Sequence, residues 1–289
     1  MRPLSRQIAI FLALTFGLSC IPYTLVLRAH QLGAYGGLAV LSLMWCPALA
    51  ALATCAVCRI RLSNLGWRIG SVKSLAYGYF LPILYAAPVY LVCWIAIQGS
   101  YVPAGAQIHK GPFAGSFAWS VVVLSTVGVL LSLISALGDE IGWRGFLLPR
   151  LTQRFGFTVG CLVSGSIWAV WHYPALLFAD YNAGTNPFYA LACFTLMVIA
   201  IAFVLGWLRL RSSSLWPCAL LHASHNLFVQ EIFDRLTVSA GRARYITTEF
   251  GCGMVLTIGA CALWFWLRRK ALPAQEGVLP GPEAVAATD

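Results

Sequence analysis

The stretch from Ser116 to Gly138, SFAWSVVVLSTVGVLLSLISALG, decides the fold. It carries no charged residue and exceeds the roughly 20 apolar residues that a helix needs to cross the hydrocarbon core of a bilayer. Two acids, Asp139 and Glu140, follow it immediately. Because backbone groups in lipid must be hydrogen-bonded within their own segment, the stretch predicts a transmembrane helix.

The chain as a whole is also rich in apolar residues and poor in charged ones. Of 289 residues, 60% are hydrophobic and only 10% are charged, and the mean hydropathy is +0.80. A soluble domain carries about 25% charged residues. The composition excludes disorder for most of the chain. Nucleic acid is excluded as a partner despite the formal net charge of +10, because the basic residues are scattered between apolar runs.

Apolar runs of similar length recur along the sequence. They predict an all-α, polytopic membrane bundle of about eight transmembrane helices, in one membrane-embedded domain over 1–270, followed by a disordered cytoplasmic tail over 271–289. The predicted spans are roughly 7–27, 36–57, 76–98, 116–138, 157–178, 188–208, 214–232 and 247–267.

The basic residues predict the orientation in the membrane. Most of the 19 Lys and Arg fall in alternate segments, on the side that includes the N-terminus. Since cytoplasmic loops carry an excess of Lys and Arg, both termini are predicted to be cytoplasmic.

The few acids point to a functional site. Asp139 and Glu140 project about 100° apart on a helix, so one can face a cavity while the other faces a partner. Arg144 lies four residues after Glu140, on the same face, where it can pair with that carboxylate. Taken alone, this group could equally be an interfacial charge cluster.

Histidines in two other spans favour a site. His172 lies in an otherwise apolar span, and His222 and Asn226 lie four residues apart on one helix face. A single intramembrane histidine often only joins helices by a hydrogen bond, but three polar spans together predict one convergent site. His225 could face the same cavity or the adjacent helix, and a packing role is favoured for it.

These residue types limit the chemistry. A carboxylate and a neutral histidine can activate water, while a second histidine and an amide can stabilise an oxyanion. The predicted reaction is hydrolysis of an acyl bond, and a peptide bond is the favoured one. This mechanism requires no cofactor. Alternatively, Glu140, His172 and His222 could hold Zn²⁺ and lower the pKa of its water. The sequence leaves both mechanisms open.

Three motifs in order resemble a known family. The chain is similar to the CPBP intramembrane proteases (CAAX protease and bacteriocin-processing, or Abi), which are related to the type II CAAX prenyl endopeptidases. The resemblance covers about residues 115–230. The family motifs EExxxR, FxxxH and HxxxN correspond here to Asp139-Glu140-Ile-Gly-Trp-Arg144, Trp168-Ala-Val-Trp-His172 and His222-Ala-Ser-His-Asn226.

The resemblance implies roles for these residues. Asp139 and His172 would activate water, and His222 and Asn226 would stabilise the oxyanion. It further implies an eight-helix bundle in a bacterial-type inner membrane, with the lipid bilayer and a peptide or membrane-protein substrate as partners.

Two departures from the family pattern matter. Asp139 stands where the family has Glu, which shortens the reach by about 1.5 Å, and Trp168 stands where it has Phe. The resemblance implies that Glu140 and Arg144 form a structural pair that holds the first acid in place. Three outcomes follow: Asp139 serves as the base with adjusted packing, which we favour; Glu140 takes that role; or activity is lost.

The expected function is therefore an intramembrane endopeptidase. The alternative is a non-catalytic membrane scaffold or bacteriocin-immunity protein that keeps the fold. A small transporter with a polar substrate site is a third possibility, which the absence of a detectable internal repeat disfavours.

Overall fold

The computed structural model describes residues 3–102, 116–238 and 241–273, and it is built from helices. The all-α prediction is confirmed. The α-helices are α1 (Leu4–Ala29), α2 (Leu38–Cys58), α3 (Val72–Ala96), α4 (Phe117–Val123), α5 (Val129–Glu140), α6 (Leu148–Phe178), α7 (Pro187–Ser212), α8 (Trp216–His225) and α9 (Cys252–Leu267).

Several helical stretches are long and apolar enough to cross a membrane. Five meet this requirement by length and composition among the described residues, which makes the chain a multi-pass membrane protein. They are Leu4–Ala29, Ala34–Cys58, Val72–Ala96, Phe117–Phe178 and Pro187–Ser212.

The count of eight spans stays a prediction. The predicted spans 116–138 and 157–178 both lie in the continuous 62-residue stretch Phe117–Phe178. The span predicted over 214–232 corresponds to α8 and a following π-helix, and the last one to the 16-residue α9. Of the predicted tail over 271–289, only the first three residues are described, and the rest lies outside the described residues.

The stretch Phe117–Phe178 changes its winding at three places. π-Helical turns occupy Leu124–Gly128 and Ile141–Leu147, and the second begins directly after Glu140. A π-helical turn adds a residue per turn, which rotates the following side chains around the axis, and such turns are frequent at functional sites. Farther along, Gly156 has φ 77°, a left-handed conformation that suits glycine and kinks α6.

Two glycines bring α5 and the second π-helical turn against α2. A Cβ on Gly138 would lie 2.6 Å from the carbonyl oxygen of Met44, and one on Gly142 would lie 2.7 Å from that of Pro47. Only glycine fits so close to a neighbouring backbone, as in the small-residue contacts typical of membrane helices. This contact fixes Asp139 and Glu140, which lie between the two glycines.

The helices surround α8. It packs against α3, α5 and α7, while α6 packs against α1 and α7. Trp143 and Trp171 are among the largest fully buried side chains of the core. The polar residues of the three motifs therefore face one another inside the bundle, between α5, α6 and α8.

Candidate active site

One cavity brings four of the predicted site residues together. It has a volume of about 180 Å³, and its lining includes Asp139, His172, His222 and Asn226. Glu140 and Arg144 do not line it and lie behind its wall. The three motifs thus converge as the sequence predicted, with the first acid on the cavity and the second acid away from it.

Asp139 is a buried carboxylate without a partner. Its side chain is 1% exposed, and neither of its oxygens accepts a hydrogen bond from the described residues. The indole N–H groups of Trp143 and Trp168 interact with this carboxylate, but outside ordinary hydrogen-bond geometry, and they have no other hydrogen-bond partner among the described residues. A buried carboxylate is costly unless it is solvated or paired, so Asp139 is the group in this cavity with most to gain from a polar ligand such as water.

Glu140 has two partners on one oxygen. Its Oε1 accepts from Arg144 Nη1 at 2.8 Å and from His222 Nδ1 at 3.0 Å. Glu140 and Arg144 are almost completely buried, with 0% and 1% of their side chains exposed. The predicted pair is present, and it also holds the imidazole of His222, a contact between α5 and α8.

His172 is held by the turn that precedes it. Its Nδ1 lies 2.9 Å from the carbonyl oxygen of Trp168. A carbonyl oxygen only accepts hydrogen bonds, so Nδ1 carries the proton and the neutral ring keeps Nε2 as its free acceptor. This is the tautomer that a general base requires.

His222 is oriented from the opposite side. Its Nδ1–H donates to Glu140, so Nε2 is the nitrogen left for the cavity. Asn226 follows one turn later and begins the π-helix Asn226–Phe233. Nε2 donates into the cavity only when both ring nitrogens carry a proton.

Trp168, at the aromatic position of the second motif, contacts two other residues of the site. The guanidinium of Arg144 lies 3.9 Å from its ring centroid, and the ring of His222 contacts it at 5.5 Å between centroids. A tryptophan is the strongest cation–π partner of the aromatic residues. The replacement of Phe by Trp therefore adds support to the arginine that pairs with Glu140.

Glu140, His172 and His222, the three residues considered for zinc, make other contacts in this structure. Within the described residues, no group of three His, Cys, Asp or Glu is placed to hold a metal ion. Of these three residues, Glu140 already accepts hydrogen bonds from Arg144 and His222. The His222 nitrogen in this contact is Nδ1, which leaves Nε2 for the cavity.

A second carboxylate on the cavity wall, Glu249, was not predicted. It accepts from His225 Nε2 at 2.8 Å, Gln230 Nε2 at 3.0 Å and the Tyr181 hydroxyl at 2.6 Å. The other nitrogen of His225 lies 2.6 Å from the hydroxyl of Tyr85. His225 lines the cavity but joins α3 and α8 to the segment before α9, which is the packing role favoured for it.

These partners favour the ionised form of Glu249. Burial alone would raise the pKa of its carboxyl, but hydrogen bonds and the charge of His225 lower that pKa to about 2. One feature of the sequence could have revealed it: an acid near the start of the last predicted span, where a charge in lipid is costly.

The comparisons with known proteins agree with the motifs. Residues 117–228 match the family described as type II CAAX prenyl endopeptidase Rce1-like. Over this segment the chain is similar to that family. The match contains all three motifs, from Asp139 to Asn226.

A curated relative of this family matches at low identity. The CAAX prenyl protease 2 of Methanococcus maripaludis is 25% identical over 115 residues, which is 38% of this chain and 41% of the relative. The chain thus matches about two fifths of the relative's length.

Proposed function

We propose that this protein is an intramembrane endopeptidase that hydrolyses a peptide bond with a water molecule activated by Asp139 and His172. The observation that carries the proposal is the convergence of Asp139, His172, His222 and Asn226 on one cavity. The family match supports the reaction class.

The proposed activation step uses the two acceptors on the cavity. Water would bind between the unpartnered carboxylate of Asp139 and Nε2 of His172, and it would lose a proton to one of them as it attacks the carbonyl carbon. The proton then passes to the leaving amine. Positioned acid–base groups of this kind contribute about 10²–10⁴-fold in rate.

The proposed oxyanion site lies on α8. Nε2 of His222 and the amide of Asn226 would donate to the oxygen of the tetrahedral intermediate. The buried Arg144–Glu140 pair would hold His222 for this role, since Glu140 accepts from its Nδ1.

The geometry favours Asp139 over Glu140 as the base. Glu140 Oε1 is occupied by two donors, and Glu140 does not line the cavity. Asp139 lines the cavity, and neither of its oxygens accepts a hydrogen bond of ordinary geometry from the described residues. Close packing of α5 on α2 at Gly138 and Gly142 is the proposed adjustment that brings the shorter side chain into place.

The cavity suits an apolar peptide. Much of its wall is hydrophobic, including Leu43, Val198 and Ile201. The relative is named a CAAX prenyl protease, so a prenylated peptide is the first substrate class to test.

The test is a cleavage assay on the protein in liposomes with prenylated and unmodified fluorogenic peptides. We expect His172→Ala and Asp139→Asn each to lower kcat/KM by about 10²–10⁴-fold, and His222→Ala by about 10²–10³-fold. His30→Ala is the matched control, because His30 follows the end of α1, is exposed and does not line the cavity. Wild-type activity in both His172→Ala and His222→Ala would contradict the mechanism.

Asp139 also favours the second candidate, a membrane scaffold or immunity protein without activity. The shorter acid is the one departure in the catalytic set that could abolish water activation. The two candidates are separated by Asp139→Glu: a gain in cleavage supports a weakened protease, and no cleavage by either form on any peptide supports the scaffold. Retention of activity in EDTA would favour carboxylate-activated water over bound zinc.

A further inference from the structure

A second pocket lies at the end of the bundle where α3 begins and where α7 and α9 end. Its volume is about 680 Å³, and it shares no residue with the cavity described above. Four of its lining residues are basic: Lys73, Arg211, Arg268 and Lys270.

The positive charge of this basic pocket is not neutralised. Acidic residues are absent from its lining, and no ion pair within the described residues involves any of the four basic side chains. All four side chains are exposed. Since like charges repel, their grouping around one concave site favours an anionic ligand.

The pocket adjoins an apolar surface. In the last turns of α9, Leu263 and Leu267 are 55% and 61% exposed. The guanidinium of Arg268 lies 3.5 Å from the ring centroid of Trp264, which is also exposed. Tryptophan next to arginine at a helix end is typical of the boundary between hydrocarbon and headgroups.

The inner wall has both polar and aromatic groups. The hydroxyls of Ser71, Ser74 and Ser212 provide hydrogen-bonding groups, while Tyr77 and Trp207 provide apolar surface. A ligand that fits the pocket and its surroundings therefore has a compact anionic part and a long apolar part.

We propose that the basic pocket binds the phosphate headgroup of an anionic phospholipid, with the acyl chains lying along the exposed leucines of α9. Basic pockets between transmembrane helices on the cytoplasmic side are suited to such headgroups. The site would tie together the ends of α3, α7 and α9, and it is independent of the catalytic proposal.

The test measures phospholipid binding to the full-length protein by native mass spectrometry, with phosphatidylglycerol and phosphatidylcholine as probes. Arg211→Gln/Lys270→Gln should bind phosphatidylglycerol about thirtyfold more weakly than the wild type, because each basic residue near an anionic surface contributes about 1 kcal/mol. Arg61→Gln/Arg68→Gln is the matched control, since it removes two exposed basic residues that do not line the pocket.

Four results would overturn the proposal. The first is equal phosphatidylglycerol affinity in the wild type and the pocket variant, and the second is equal wild-type affinity for the two lipids. The third is protection against thermal unfolding by inorganic phosphate as large as that by phosphatidylglycerol, which would indicate a free-phosphate site. The fourth is lipid binding that appears only when residues 274–289, which carry three acids and no Lys or Arg, are removed, which would make that segment the occupant.

Discussion

At the scale of single residues, the chain offers two Glu–Arg pairs at the same spacing in opposite surroundings. Glu140–Arg144 is buried, whereas in Glu231–Arg235 both side chains are about half exposed. Removing one partner of a buried pair leaves an uncompensated charge, while an exposed pair contributes little because solvent screens it.

We therefore expect Glu140→Gln to lower the free energy of unfolding by about 3–5 kcal/mol. Glu231→Gln, its control, should change that free energy by less than about 1 kcal/mol. Denaturant unfolding of both variants in detergent measures the difference. Equal losses would show that the buried pair does not support the bundle.

The lowered pKa of Glu249 predicts how the stability of the fold depends on pH. Its pKa is about 2 in the folded protein, below the ordinary 4.5, so its ionised form stabilises the fold above pH 4.5. That contribution should be lost as the pH falls from about 4.5 toward 2.

The pH series is measured as the thermal unfolding midpoint of the wild type and of Glu249→Gln. The wild type should lose more stability than the variant between pH 5 and pH 3. Parallel curves would argue against a carboxylate held ionised by His225, Gln230 and Tyr181.

The site was largely predictable at the residue scale, because its residues lie in segments surrounded by lipid. A polar side chain inside an apolar run is costly, so Asp139, His172 and His222 stood out in the sequence. The contact between Glu140 and His222 could not be predicted, because it depends on how α5 packs on α8. Glu249 was missed because its partners lie far from it in sequence, Tyr181 before α7 and His225 and Gln230 on α8 and the π-helix after it.

At the scale of helices, α5 and the π-helical turn after it hold the acids in place. Gly138 and Gly142 pack against the backbone of α2, and Asp139 and Glu140 lie between them. The helix of 116–138 was predictable from its apolar length, but the π-helical turn at Ile141–Leu147 was not. Winding of this kind depends on tertiary packing, which leaves no pattern in hydrophobic spacing.

The glycine contact is tested by Gly142→Ala. An added methyl would meet Pro47, so we expect a loss of about 1–3 kcal/mol in the free energy of unfolding, together with reduced cleavage. Gly259→Ala in α9 is the control, because nothing lies within 4 Å of its Cβ position. Should Gly142→Ala be as stable as Gly259→Ala, the contact does not fix α5.

At the scale of the whole molecule, composition determined the class of protein. A charged fraction of 10% and repeated apolar runs required a helical membrane bundle, and the structure has one. Span boundaries were less predictable: α8 and α9 are short, and the segment between them folds into the bundle through Glu249.

The distribution of basic residues predicts the topology. With both termini in the cytoplasm, a green fluorescent protein fused to the C-terminus should fluoresce in bacterial cells, and alkaline phosphatase at the same place should be inactive. The opposite pattern of reporter activity would indicate the reverse orientation, with the basic pocket at the outer face.

The proposed mechanism depends on the activation of water by Asp139 and His172 in this cavity. The most direct measurement is the initial rate of cleavage of a prenylated peptide in liposomes by the wild type and by His172→Ala, at equal amounts of folded protein. We expect measurable cleavage by the wild type and a rate at least about 100-fold lower for the variant. A variant that cleaves as fast as the wild type would contradict it.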